Sequence, residues 1–81
     1  MFCIYILKSE KDNSLYIGKT NNLKRRLIEH NNGQTPSIKS KRPFILLEYI
    51  TCKDELGARE MEKEYKKGYK REEMKRKYSI I

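Results

Sequence analysis

The sequence is poor in the residues that staple small folds or gather metals. It has two cysteines, Cys3 and Cys52, and one histidine, His30, in 81 residues. A secreted domain of this size ordinarily carries more cysteines, because its core is too small to hold it together alone. Each cysteine sits in an apolar run far from the other, so both are expected as buried free thiols in the reducing cytoplasm. One histidine and two cysteines at this spacing supply too few ligands for a zinc site. Nothing approaches the roughly 18 apolar residues that a membrane span requires. No basic stretch precedes the N-terminal apolar run, as a signal peptide would need. No repeat or low-complexity linker interrupts the chain, which fits one domain over residues 1–81.

Positive charge is plentiful. Nineteen Lys and Arg face 11 Asp and Glu, for a net charge of +8. That balance favours a polyanionic partner, most commonly nucleic acid, with a merely soluble basic surface as the plainer alternative. The cations crowd toward the C-terminus, from Lys63 through Lys77, but Glu64, Glu72 and Glu73 interrupt them. Such mixing argues against a disordered polybasic tail.

Residues 2–7 are apolar or aromatic at every position, which predicts a strand that lies mid-sheet or is covered on both sides. Polar, turn-prone residues 8–14 lead to a second strand over 15–18, making a hairpin with a longer loop. Thr20, Asn21 and Asn22 offer caps for a helix from Leu23 to Asn31, and Gly33 is its stop. Residues 34–43 form a polar connector, in which Thr35-Pro36 suits the start of a short helical turn. A third strand runs from Phe44 to Tyr49. Asp54 caps a long helix that Gly68 ends or breaks, and Arg71 to Tyr78 suits a last short helix. The order predicts an α+β fold, a small three-stranded and mainly antiparallel sheet flanked by helices.

Helical geometry then sorts the charged residues. With Leu23 set at zero and ~100° per residue, Leu27 falls near 40°, Arg26 near 300° and His30 near 340°. Arg26 and His30 therefore flank the stripe that packs on the sheet, while Arg25 faces water. On the long helix, with Ala58 at zero, Met61 falls near ~300°, Tyr65 near ~340°, Tyr69 near ~20° and Glu62 near ~40°. A carboxylate on a buried stripe is costly unless it is paired or bound to a metal. Glu62 is thus the acid that most needs an explanation, a lysine partner being the plainer one. In the strands, Tyr5 shares a face with Cys3 and Leu7, and Tyr16 with Gly18. If those faces coincide, two phenols stand side by side, with ordinary core packing as the alternative.

These residues resemble the GIY-YIG nuclease superfamily. Cys3-Ile4-Tyr5 stands where the family has Gly-Ile-Tyr, and Tyr16-Ile17-Gly18 is intact. Asn22-Leu23-Lys24-Arg25-Arg26-Leu27 follows, with His30 four residues past Arg26. Gly33, Arg42-Pro43 and the strand Phe44–Tyr49 resemble the family's middle section, and Ala58, Glu62 and Lys66 its metal-binding helix. The order and spacing are similar to the compact stand-alone members, and to the N-terminal nuclease domain of the bacterial excision-repair excinuclease. The departure is Cys3 in place of glycine.

The resemblance implies a DNA endonuclease, acting in DNA repair or recombination, that uses one Mg²⁺ or Mn²⁺ held by Glu62. It implies that Arg26 contacts the scissile phosphate. Tyr5 is the candidate general base, Tyr16 a partner of the phosphate or the water network, and His30 a residue that orients a tyrosine or shares the base role. Lys19 and Lys66 are candidates for gripping the DNA backbone. Two other readings stand beside this one: a non-catalytic nucleic-acid-binding module, and a component that cuts only inside a larger complex. A protein partner or a homodimer fits either.

Overall fold

The unbroken apolar run at the N-terminus becomes β1 (Phe2–Ser9), the central strand of a sheet ordered β2-β1-β3. This computed structural model describes residues 1–80. Successive β1 side chains alternate between the faces, and both faces are covered, so Cys3 through Leu7 are all buried. β2 (Leu15–Thr20) pairs antiparallel on one side, setting Gly18 opposite Tyr5 and Tyr16 opposite Leu7. β3 (Phe44–Cys52) pairs antiparallel on the other, with Tyr49 opposite Tyr5 and a register shift between Ile6 and Leu7.

Helix α1 (Leu23–Asn31) and a short 3-10 helix (Pro36–Lys41) cover the Tyr5 face, where Leu23, Leu27 and Ile38 pack with Leu7 and Phe44. The opposite face receives α2 (Glu55–Tyr65) and α3 (Gly68–Lys77). There Ala58 packs with Ile4 and Cys52, and Met74 with Ile6 and Ile17. Asn22 caps α1 by accepting from the Arg25 amide at 3.1 Å, and Asp54 caps α2 by accepting from Gly57 at 2.8 Å. Both cysteines are buried and unpaired. Among the described residues no helix is long and apolar enough to cross a membrane.

The fold class and the element order follow the sequence reading, with differences at element ends. All three strands run longer than the apolar patterns suggest. β3, for example, passes Tyr49 because Ile50, Thr51 and Cys52 still pair with Ile4, Cys3 and Phe2. The long helix is shorter than expected. It stops at Tyr65, and α3 begins at Gly68 rather than Arg71. The break resets the helical phase, so Tyr69 leaves the apolar stripe and lies 58% exposed.

Candidate functional site

Cross-strand register brings the first groups together. Tyr5 and Gly18 face the same way at paired positions, and a β-carbon on Gly18 would run into the Tyr5 hydroxyl. The missing side chain is therefore the space in which the phenol lies. Tyr16 stands on that same face, its ring centroid 6.3 Å from that of Tyr5. The two strand faces coincide, and the phenols are neighbours.

Helix α1 lays the next groups over them. Leu23 and Leu27 pack against the Tyr5 face, which turns His30 inward and sets Arg26 at the margin. His30 is fully buried, with Nε2 2.8 Å from the Tyr5 hydroxyl and its ring edge-on to Tyr16 at 5.2 Å. Its other ring nitrogen, Nδ1, lies 2.8 Å from the Thr35 hydroxyl. The Arg26 guanidinium sits beside the Tyr5 hydroxyl and is held by Glu29, with Nη1 to Oε1 at 3.1 Å. Arg25, one residue earlier, is 65% exposed at its side chain.

The loop after α1 explains how Thr35 reaches the histidine. Gly33 adopts φ of +78°, the Gln34 amide donates to the Glu29 carbonyl, and the Gly33 amide donates to that of His30. This pair of bonds is the Schellman ending that a glycine at this position favours. It folds the chain back over the last turn of α1.

Burial sets the electrostatics. It pushes the Tyr5 phenol up to about 12, against the pull of the Arg26 guanidinium, while the charges of Tyr16 and Glu62 add to the rise. Burial also lowers His30 below its usual range, and the positive charge of Arg26 lowers it further. Near neutrality the centre of the cluster is thus a neutral phenol against a neutral imidazole.

Tyr5, Tyr16, Arg26 and His30 converge on one face of the sheet. Glu62 stands apart on α2, which packs against the other face, yet its charge is felt at Tyr5. Its side chain is 19% exposed and forms an ion pair with Lys66 at 3.3 Å. Lys19 is paired as well, with Glu55 at 3.4 Å. Among the described residues no cluster of three or more His, Cys, Asp or Glu could gather a metal ion. Glu62 is the carboxylate that the helical pattern singled out.

Two further residues shape the cluster and were not singled out from the sequence: Glu29 and Thr35. Gly18 was named with the second tyrosine motif, and strand register supplies its reason once Tyr5 is paired with it. Glu29 follows Arg26 at helical i+3 spacing. Thr35 carries no sequence signal, because its approach depends on the backbone path through Gly33.

Residues 1–78 match the GIY-YIG catalytic domain family. A UPF0213 protein of Staphylococcus haemolyticus is 42% identical over 62 residues, covering 73% of this chain and 74% of that protein. Its counterpart in Staphylococcus saprophyticus is 44% identical over the same shares. A UPF0213 protein of Clostridium perfringens is 63% identical over 30 residues, 37% of this chain and 31% of that protein. No solved structure matches the chain significantly. With the family's two tyrosine motifs paired in one sheet, and its arginine helix laid across them, the chain belongs to the GIY-YIG family of nucleases.

Proposed function

We propose that the protein is an endonuclease that hydrolyses DNA phosphodiesters with the help of one divalent cation, Mg²⁺ or Mn²⁺. The observation that carries this reading is the convergence of Tyr5, Tyr16, Arg26 and His30 on one sheet face.

The roles follow from chemistry. Arg26 has a planar fork of N–H donors and a side chain 39% exposed, so it can turn from Glu29 to a phosphate oxygen. Tyr16 is half-buried beside the cluster and presents a phenol to the phosphate or to its waters. Tyr5 serves as the base only with His30. A phenol pushed up to about 12 holds its proton near neutrality, so the proton must move as the water gives up its own. The Tyr5 oxygen takes a proton from water while His30 Nε2 takes the phenol's. The hydroxide attacks phosphorus, the leaving oxygen departs with the bonding pair, and the extra proton held on the imidazolium passes back through Tyr5 and the site's waters to that oxygen, which leaves as a hydroxyl and restores neutral His30.

The residues present fit a magnesium-type ion. Magnesium keeps most of its waters and needs only one or two carboxylates, so Glu62 suffices, its carboxylate passing from Lys66 to the ion. When bound, the ion would supply charge neutralisation on the phosphoryl and leaving oxygens. Lys19 and Lys66 would steady the DNA backbone. Buried unpaired thiols suit a cytoplasmic setting, and DNA repair or recombination is the pathway class proposed.

The test is a panel of labelled duplex, single-stranded and branched DNAs with wild type, Arg26→Ala and Tyr5→Phe. Cutting by the wild type, reduced about 100-fold or more in Arg26→Ala, is the expected result. Equal cutting by all three proteins would remove these residues from the mechanism, and binding without cutting would favour a non-catalytic module.

A further inference from the structure

We propose that Thr35 is a positioning residue for the Tyr5–His30 pair. Its hydroxyl accepts the Nδ1 hydrogen of His30 and holds the imidazole in the tautomer whose Nε2 lone pair faces the Tyr5 hydroxyl.

A count of donors and acceptors selects this tautomer. Two nitrogens of one buried ring each face a hydroxyl at 2.8 Å, Tyr5 on one side and Thr35 on the other. A neutral imidazole carries one N–H and one lone pair, so one hydroxyl must donate and the other accept. Were Nε2 the protonated nitrogen, the Tyr5 oxygen would receive N–H groups from His30 and from the nearby Arg26. A guanidinium has no acceptor, and the phenolic hydrogen would then be stranded in a residue 1% exposed. With the hydrogen on Nδ1, the Tyr5 hydroxyl donates to Nε2 and Arg26 is free to donate to the Tyr5 oxygen. Thr35 accepts from Nδ1 and, being half-buried, turns its own hydrogen to solvent.

The position of Thr35 fits the assignment. It stands at the N-cap of the 3-10 helix, where a threonine hydroxyl usually accepts an amide hydrogen of the first turn. Here it makes no capping bond, and its hydroxyl is turned to the histidine instead. The groups around the ring are Tyr5 from β1, Tyr16 from β2, Phe44 from β3, and Arg26 and Glu29 from α1 itself. None of these is placed to fix Nδ1.

This inference rests on the nuclease reading only for its effect on rate. Its structural part is tested apart from activity, by nitrogen-15 NMR of the imidazole. The chain has one histidine, so the signals need no assignment. The wild type is expected to show the Nδ1–H tautomer. Thr35→Val leaves the buried Nδ1 hydrogen without an acceptor and is expected to shift the ring to a mixture of tautomers, and Thr35→Ser to restore the wild-type ring. An Nε2–H tautomer in the wild type, or an unchanged ring in Thr35→Val, overturns the proposal. In the cleavage assay kcat should fall at least about tenfold in Thr35→Val and recover in Thr35→Ser, with KM little moved, as a share of the roughly 10²–10⁴ a positioned base supplies. Unchanged kcat in Thr35→Val beside an active wild type also overturns it. A wild type that shows the expected tautomer but cuts nothing would instead overturn the nuclease reading.

Discussion

The Tyr5 hydroxyl limits what its neighbours can be. A methyl at Gly18 would occupy the same volume, and the contact is with a ring locked inside the core, so neither partner can yield cheaply. Gly18→Ala is therefore expected to cost about 1–3 kcal/mol by denaturant unfolding, in the range of other overpacked cores, and to displace the phenol from His30. Unfolding midpoints equal to wild type would contradict that packing. His30 gives a second residue-level expectation, in which sign matters. The unfolded chain takes up a proton at His30 as pH falls through about 6.5. The folded chain does so only at lower pH, because burial and Arg26 depress the group. In that window the unfolded state binds more protons, so stability declines as pH falls and is recovered as pH rises through the histidine's ordinary value. Melting temperatures between about pH 7 and 5.5 should decline less steeply in His30→Gln than in wild type, whatever the variant's absolute stability. At this scale the sequence was partly legible. Helical phase placed Arg26 and His30 toward the sheet and Arg25 in water, because burial on a single helix is a matter of angle. The Thr35 contact was invisible, because it depends on a turn and not on a period.

Gly33 ends α1 with a positive φ, and a β-carbon there would also press on the Arg42 guanidinium. Gly33→Ala should cost about 1–2 kcal/mol from the left-handed backbone alone. It should also loosen Thr35 from His30, since both Schellman hydrogen bonds hold the returning chain. The histidine NMR spectrum reports this directly, and a wild-type tautomer with wild-type stability in Gly33→Ala would speak against it. Helix starts were readable because their caps are local chemistry, as at Asn22 and Asp54. Strand ends and the α2–α3 break were not. Strand length is decided by which partner residues remain available, as with Ile50 to Cys52 against β1. Gly68 permits either a stop or a new start, and α3 takes the start. Glu62 lay on the predicted stripe of α2, and that stripe packs on the sheet face opposite Tyr5. A pattern within one helix carries no information about which layer the helix joins.

Across the whole molecule, charge is the dominant feature. A net charge of +8 on 81 residues gives a strong field, but the cations suggested for the backbone grip are each paired with a carboxylate. In the proposed site Lys66, which pairs with Glu62, and a metal ion would compete for that carboxylate, so ion binding would release the lysine toward DNA. Binding to a labelled duplex should weaken linearly in log-log form with salt, and Lys19→Ala and Lys66→Ala should each lower the slope by about 1. Slopes identical to wild type would show that neither lysine touches phosphate. The family was legible because its motifs sit in order along nearly the whole chain, and the fold pairs them as that order requires.

The most direct test of a metal-assisted nuclease centred on Glu62 is cleavage of labelled DNA by wild type and Glu62→Gln, with Mg²⁺ or Mn²⁺ and with EDTA, on proteins whose melting curves show both folded. Such a centre requires cutting by the wild type that needs the ion and is lost in Glu62→Gln. Cutting that persists in EDTA, or that Glu62→Gln performs as well as wild type, would contradict it.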